Sequence, residues 1–180
     1  SKKTIKKANN SKRKYIKKFG DDSNSNYKID ITENEPIGKL LGVKNLSLME
    51  NSTTNKTSNN ITEDDIEKGI IVGNIRMGFG HYRISMAIAS AANSMGYTPY
   101  WMDLNSYNNT TCGKVISAQN ELYSLGSRLS GKSRLFNKIV WEPMNYEGFR
   151  KISYNAVDQK NAELMSPVFK NIPKEIPFIA

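Results

Sequence analysis

One cysteine and one histidine in 180 residues leave little room for thiol or metal chemistry. Cys112 has no partner for an intramolecular disulfide, and the count disfavours a zinc site, which takes several Cys or His ligands. No run approaches the roughly 18 consecutive apolar residues of a membrane-spanning helix. No apolar stretch follows the basic N-terminus, so it does not read as a secretory signal. Acids are missing from residues 1–20, which hold nine Lys or Arg. The formal net charge of +9 belongs to that segment alone, because residues 21–180 carry 17 basic and 17 acidic side chains. This excludes a protein evenly coated with positive charge for nucleic acid. As a partner of the basic segment, nucleic acid ranks behind plain solvent and an anionic lipid surface. Three Asn-x-Ser/Thr triplets crowd residues 51–62 of a chain rich in Asn, Lys and Ile throughout, so composition accounts for them better than glycosylation does. The expected setting is reducing and intracellular: a cytoplasmic protein, peripheral to a membrane at most.

What is present divides the chain at about residue 66. Residues 1–66 contain a charge run and two polar, low-complexity stretches, DDSNSN and NSTTNKTSNN. Their apolar content is too small to offset the entropy of ordering, which predicts a basic, Asn-rich, largely disordered tail. Between the two polar stretches, PIGKLLGVKNLSLME has the apolar content of a short docked helix or a strand pair. Residues 67–180 read as a folded domain. KGIIVGNI (68–75) is a short β-branched run and predicts a buried strand. In the following HYRISMAIASAANSMG, residues Ile84, Ala87, Ile88, Ala91 and Met95 recur at helical spacing, and Gly96 stands where a helix is capped. TPYWMDLN predicts a second strand ending at Asp103. Strand, glycine turn, helix and strand make a βαβ unit, so the fold class is α/β with a Rossmann-like parallel sheet. Val115, Ala118, Leu122, Leu125 and Leu129 form one helical stripe, and residues 154–170 form another helix. IPFIA at the end predicts a third buried strand. A chain stopping inside a core strand suggests the N-terminal part of a longer protein, with this domain truncated at its C-terminal end.

The turn Gly73-Asn-Ile-Arg-Met-Gly78-Phe79-Gly80-His81 is the sharpest chemical feature. Glycines allow tight bending and close backbone approach, and the free N–H groups of the next helix favour an anion such as phosphate. A P-loop is rejected, because Phe79 and Gly80 stand where Lys and Ser/Thr are required. A dinucleotide fingerprint matches in part: Arg83 replaces its third glycine, yet Asp103 occupies the place of a ribose-binding acid. His81, the only histidine, follows the turn directly; it either takes a proton from a substrate hydroxyl or is a surface or core residue without a special role.

The run IIVGNIRMGFGHYRISMAIASAANSMGYTPYWMDL resembles the opening of the GT-B glycosyltransferases. It is most similar to the monogalactosyldiacylglycerol synthase and processive diacylglycerol glucosyltransferase group, which is related to MurG-type enzymes. Gly78, Gly80, His81, Ala87, Ile88 and Asp103 carry the match, and weaker likeness continues in NELYSLGSRLSGKSRLFNKIVWE and IPFIA, so it spans residues 68–180. Arg76, Met77 and Phe79 interrupt the family's glycine cluster, and Tyr82 and Arg83 are larger than its usual residues. The resemblance implies an inverting transfer of sugar from a nucleoside diphosphate sugar to a hydroxyl acceptor, a lipid at the membrane surface. Under it, His81 is the general base or orients the acceptor, and Asp103 is the alternative base. Gly78, Phe79, Gly80 and His81 line the substrate or phosphate site. The donor's nucleotide would be held by a C-terminal domain absent from these 180 residues, and neither metal nor further cofactor is required.

Residues 122–141 bear on the acceptor. Arg128, Lys132, Arg134 and Lys138 alternate with leucines and aromatics, and Trp141 ends the run. Such a segment reads first as a core-facing helix with a solvated basic face and second as a match for an anionic membrane surface. Two other classes fit the glycine turn: a non-catalytic nucleotide-binding module and half of an NAD-dependent oxidoreductase.

Overall fold

The computed structural model describes residues 2–50, 61–75, 78–150 and 156–179. A five-stranded sheet forms the centre. In chain order its strands are β1 (Tyr27–Glu33), β2 (Lys44–Glu50), β3 (Gly69–Asn74), β4 (Thr98–Asp103) and β5 (Phe178–Ile179). Their spatial order is β1-β2-β4-β3-β5. β1 and β2 pair antiparallel, whereas β2–β4, β4–β3 and β3–β5 are parallel. The expected parallel trio is therefore present and is extended to a mixed sheet by an N-terminal strand pair. The fold is α/β, with helices on both faces.

Alternation along the central strands separates two cores. Ile71, Tyr100 and Met102 face one side and pack with Ile29, Ile31 and Leu46 of β1 and β2. That side is closed by α5 (Thr111–Lys132) and α8 (Ala156–Phe169), which bring in Cys112, Ile116 and Val168. Val72 and Trp101 face the other side, beneath Ala89 of α4 (Phe79–Ser94) and Val43, which follows the single turn α2 (Gly38–Leu41). Every buried apolar side chain of this size contributes about 1.5–3 kcal/mol, so the two layers supply the stability of the sheet.

The expectation of a largely disordered tail over residues 1–66 does not hold for its described residues. Residues 2–19 form helix α1 (Lys2–Phe19), followed by β1, α2, β2 and α3 (Glu63–Lys68); the polar run 51–60 lies outside the described residues. The composition argument failed because it averaged. In β1 the buried positions are Tyr27, Ile29 and Ile31, a strict period of two that long-range pairing with β2 exploits. PIGKLLGVKNLSLME supplies both a helical turn and a strand. Helix α1 hides its order differently. Its inward positions, Thr4, Ala8, Ser11, Lys12, Tyr15, Ile16 and Phe19, have helical spacing but are mostly polar. Only Ala8 is fully buried. The Lys12 ammonium lies 2.8 Å from the Glu163 carboxylate on α8, and the Lys160 ammonium stands 3.7 Å over the Tyr15 ring.

Two helical stripes also differ from expectation. On α4 the fully buried residues are Ser85, Ala89 and Ala92, one position out of phase with the expected stripe; of that stripe Ile88 packs against the Val72 and Trp101 cluster, whereas Ile84 and Met95 are exposed. Gly96 does cap the helix, with φ +88° and its N–H donating to the Asn93 carbonyl. On α5, Val115 is buried but Leu122, Leu125 and Leu129 are exposed. From Glu121 onward α5 projects from the core. It meets the short helix α6 (Arg134–Phe136) and a π turn over Asn137–Trp141, which in turn packs with α7 (Glu142–Arg150), forming a helical arm. Strand β5 is present and parallel to β3, but Phe178 and Ile179 are exposed at the sheet edge rather than buried.

The docking of α1 is directly testable, because nine Lys or Arg residues make it rich in tryptic sites. In the native chain these sites are expected to be cut slowly, since cleavage requires local unfolding from α8. Ala8→Arg overpacks the one fully buried position and is expected to cost about 1–3 kcal/mol and to expose them. Trypsin digestion followed by mass spectrometry separates the two cases, and equally fast loss of residues 2–18 from both proteins would restore the disordered tail. The Glu163 carboxyl is held below its ordinary value of 4.5 by the Lys12 hydrogen bond. This contribution to docking is complete above that value and is lost as pH falls through the lowered one.

Candidate functional site

β3 ends at Asn74, and after residues 76–77, outside the described set, Gly78 precedes α4. Gly78 adopts φ +146°, a conformation that L side chains rarely take, so glycine is required there by backbone geometry. No side chain caps the N-terminus of α4, and its first N–H groups are left for solvent or a ligand.

A cavity of about 770 Å³ opens beside this turn. Gly78, Phe79 and Tyr82 form one wall, and Trp101 and Asp103 at the carboxyl end of β4 form the floor. The opposite wall comes from the N-terminal segment through Asn34, Ile37, Asn45 and Ser47. This is where open α/β sheets place ligands. The aromatic wall is continuous: Phe79 and Tyr82 have ring centroids 6.5 Å apart, and Tyr82 and Trp101 are 5.6 Å apart, each pair edge to face. Arg83 stands 5.6 Å over the Phe79 ring.

Asp103 is 6% exposed. Its carboxylate accepts the Asn105 N–H at 3.0 Å, and the Ser106 hydroxyl donates to its carbonyl at 2.6 Å. Asn74 stands opposite Asp103 in the β3–β4 register and is 3% exposed, with no hydrogen-bond partner for its Oδ1. Burial, and then the charge of Asp103, push the Tyr107 phenol above its ordinary range. The Tyr107 hydroxyl donates to the Leu46 carbonyl and ties the segment after β4 to β2. Asn34 and Asn45 brace the far wall, Asn34 donating to the Asn45 side-chain oxygen at 2.9 Å.

Of the residues singled out in the sequence, Gly78, Phe79 and Asp103 come together at this cavity. Gly80 and His81 lie exposed on the first turn of α4, outside its lining. Arg128, Lys132, Arg134 and Lys138 are exposed on the arm. Trp141 packs inside the arm against Tyr123, with ring centroids 5.2 Å apart, and a side chain at Gly126 would collide with its ring. Cys112 is fully buried, and burial pushes its thiol up to about 12, so it is no nucleophile. Sequence reasoning missed Tyr82 and Trp101 as site residues, and Asn74 lies buried beside Asp103 without lining the cavity. Alternation on β3 and β4 pairs Asn74 with Asp103 and places Val72 and Trp101 on the same face, but an asparagine ending a strand carries no distinctive signal. The contribution of the 34–47 segment was hidden by its assignment to a tail.

Among the described residues no helix is long and apolar enough to cross a membrane. No curated protein and no solved structure matches the chain. A family model described as Domain of unknown function (DUF6937) matches residues 1–180, and the chain belongs to that family.

Proposed function

We propose that this chain is the acceptor-binding portion of a glycosyltransferase with a GT-B-like plan, moving a sugar from a nucleoside diphosphate sugar to a hydroxyl acceptor, a lipid at the membrane surface. The carrying observation is the cavity at the carboxyl end of β4, lined by Gly78, Phe79 and Asp103 and one helical turn from His81. In this reading the acceptor hydroxyl lies at the cavity mouth. The His81 imidazole takes its proton while the oxygen attacks the anomeric carbon, and the nucleoside diphosphate leaves with the bonding electrons of the broken C–O bond. A further domain would hold most of the donor.

Asp103 at the end of β4, beside the glycine turn, also supports the second reading, a nucleotide-binding module in which that acid meets a ribose. One experiment addresses both. The product of the whole open reading frame is incubated with radiolabelled UDP-glucose and GDP-glucose and with anionic vesicles containing diacylglycerol. Labelled glycolipid is the expected result. Donor binding without transfer would favour the module. Neither binding nor transfer would remove the transferase reading.

A further inference from the structure

β2 outruns its neighbour. Its pairing with β4 matches Lys44 to Tyr100 and Asn45 to Trp101, and the same register sets Ser47 against Asp103, where β4 ends. From Leu48 to Glu50, β2 keeps β1 on one side and has no strand on the other among the described residues. The Tyr107 hydroxyl, arriving from beyond β4, meets the Leu46 carbonyl on that open side at 2.6 Å. Backbone groups along a strand alternate between its two edges, so the N–H and C=O of Leu48 face the same way. Among the described residues they have no hydrogen-bond partner there. An open stretch of strand backbone is a template for another strand.

A pocket of about 440 Å³ occupies this lane. Tyr27 and Leu48 line its strand side, and Ser106, Tyr107, Asn108 and Asn109 form the facing loop. The loop is tied at both ends. The Ser106 hydroxyl donates to the Asp103 carbonyl at 2.6 Å, and the N–H and hydroxyl of Thr110 donate to the Tyr107 carbonyl at 3.0 and 2.8 Å. Between these ties the side chains of Asn108 and Asn109 are exposed and make no hydrogen bond among the described residues. A side-chain amide carries the same N–H and C=O groups as a peptide unit. The slot therefore offers strand backbone on one wall and amides on the other, both in place before anything binds. Ser47 and Ser106 line this pocket and the aromatic cavity of Phe79, Tyr82 and Trp101, so the two adjoin.

We propose that the slot binds an extended peptide, which continues the lane of β4 beside β2 and sets an aromatic side chain into the adjoining cavity. Main-chain hydrogen bonds to Leu48 and to the two Asn amides supply affinity, and the aromatic wall supplies selectivity. A saccharide can use the amides, but its hydroxyls follow no strand repeat, whereas the N–H and C=O groups of a peptide recur at the spacing of β2 itself. Peptide binding does not depend on sugar transfer. A bound peptide would exclude the acceptor of the proposed transfer from that end of the cavity.

The test pans a phage library of random heptapeptides on the 180-residue chain. The enriched consensus is then synthesised with a plain and with an N-methylated main chain, and binding is read by calorimetry. A consensus containing an aromatic residue is expected. Asn108→Ala with Asn109→Ala removes two exposed side chains, so the melting temperature should hold while peptide affinity falls about tenfold or more. N-methylation should weaken binding to a similar extent, and it tests the main-chain bonds on the unaltered protein. The proposal is overturned if no consensus emerges, or if the consensus binds the double variant or binds in N-methylated form without loss. Maltotriose is titrated alongside. If it binds, the double variant loses it and no peptide consensus exists, the slot is a saccharide site and the peptide is excluded.

Discussion

His81→Ala is expected to lower sugar transfer by about 10²–10⁴-fold while leaving donor affinity and fold unchanged. A hydroxyl is a poor nucleophile until its proton is taken, and general-base assistance is worth that range. His81 is the only histidine of the chain. It lies exposed on the first turn of α4, so its replacement removes no core contact and should leave the melting temperature where it was. It also lies outside the described lining of the cavity. In the transferase reading, the acceptor's reacting hydroxyl would have to reach beyond that lining to meet the imidazole. Asp103→Asn is the matched control. Asp103 sits on the floor, so in a transferase its loss should raise the acceptor KM more than it lowers kcat, the reverse of the His81→Ala pattern. If Asp103→Asn abolishes kcat and His81→Ala does not, Asp103 is the base. If both variants keep normal turnover, the turn is structural and the catalytic reading of it fails.

The central βαβ unit was legible because its signals are local. The β-branched run of β3, the glycine turn, the C-terminal Gly96 and the acid ending β4 all fall where the sequence pattern puts them. Burial direction was less legible. On α4 the expected stripe followed the most apolar residues, yet the fully buried positions are Ser85, Ala89 and Ala92. Small residues permit close approach to β3 and β4: the Ser85 hydroxyl donates to the Gly73 carbonyl at 3.0 Å, a contact no hydrophobicity argument anticipates. The N-terminal segment failed for a related reason. β1 and β2 gain burial from partners 60 or so residues away along the chain, as Tyr107 reaching Leu46 shows, and local composition carries no record of such pairing. The candidate site divides in the same way. Gly78, Phe79 and Asp103 are local to the motif, while the facing wall from Asn34 to Ser47 appears only when distant segments meet.

Charge reversal of Arg128, Lys132, Arg134 and Lys138 to Glu is expected to release the chain from anionic vesicles. The arm offers two complementary features. Its apolar residues are exposed: Leu122 and Leu135 are each 70% exposed and Ile139 is 63%. Its four basic residues are exposed alongside them, and residues 122–141 contain no acid. At its base the arm joins the most basic element of the protein, because Lys14 and Lys18 of α1 line one groove with Leu122. Two segments that the sequence separates by a hundred residues thus meet at one groove. A polyanion such as RNA would satisfy the lysines and arginines but leave the leucines in water, whereas a bilayer surface takes both. Each basic residue near an anionic surface contributes about 1 kcal/mol. Losing four amounts to roughly a thousandfold in partitioning, before any repulsion from the new acids is added. Co-sedimentation with phosphatidylglycerol vesicles should show this loss, and raising salt should mimic it by screening. Leu122→Ser with Leu135→Ser and Ile139→Ser keeps every charge and removes apolar contact. It should weaken vesicle binding and leave binding to an RNA homopolymer unaltered. If the charge-reversed chain still sediments with the vesicles, the arm is no membrane surface, and its exposed leucines belong against another protein.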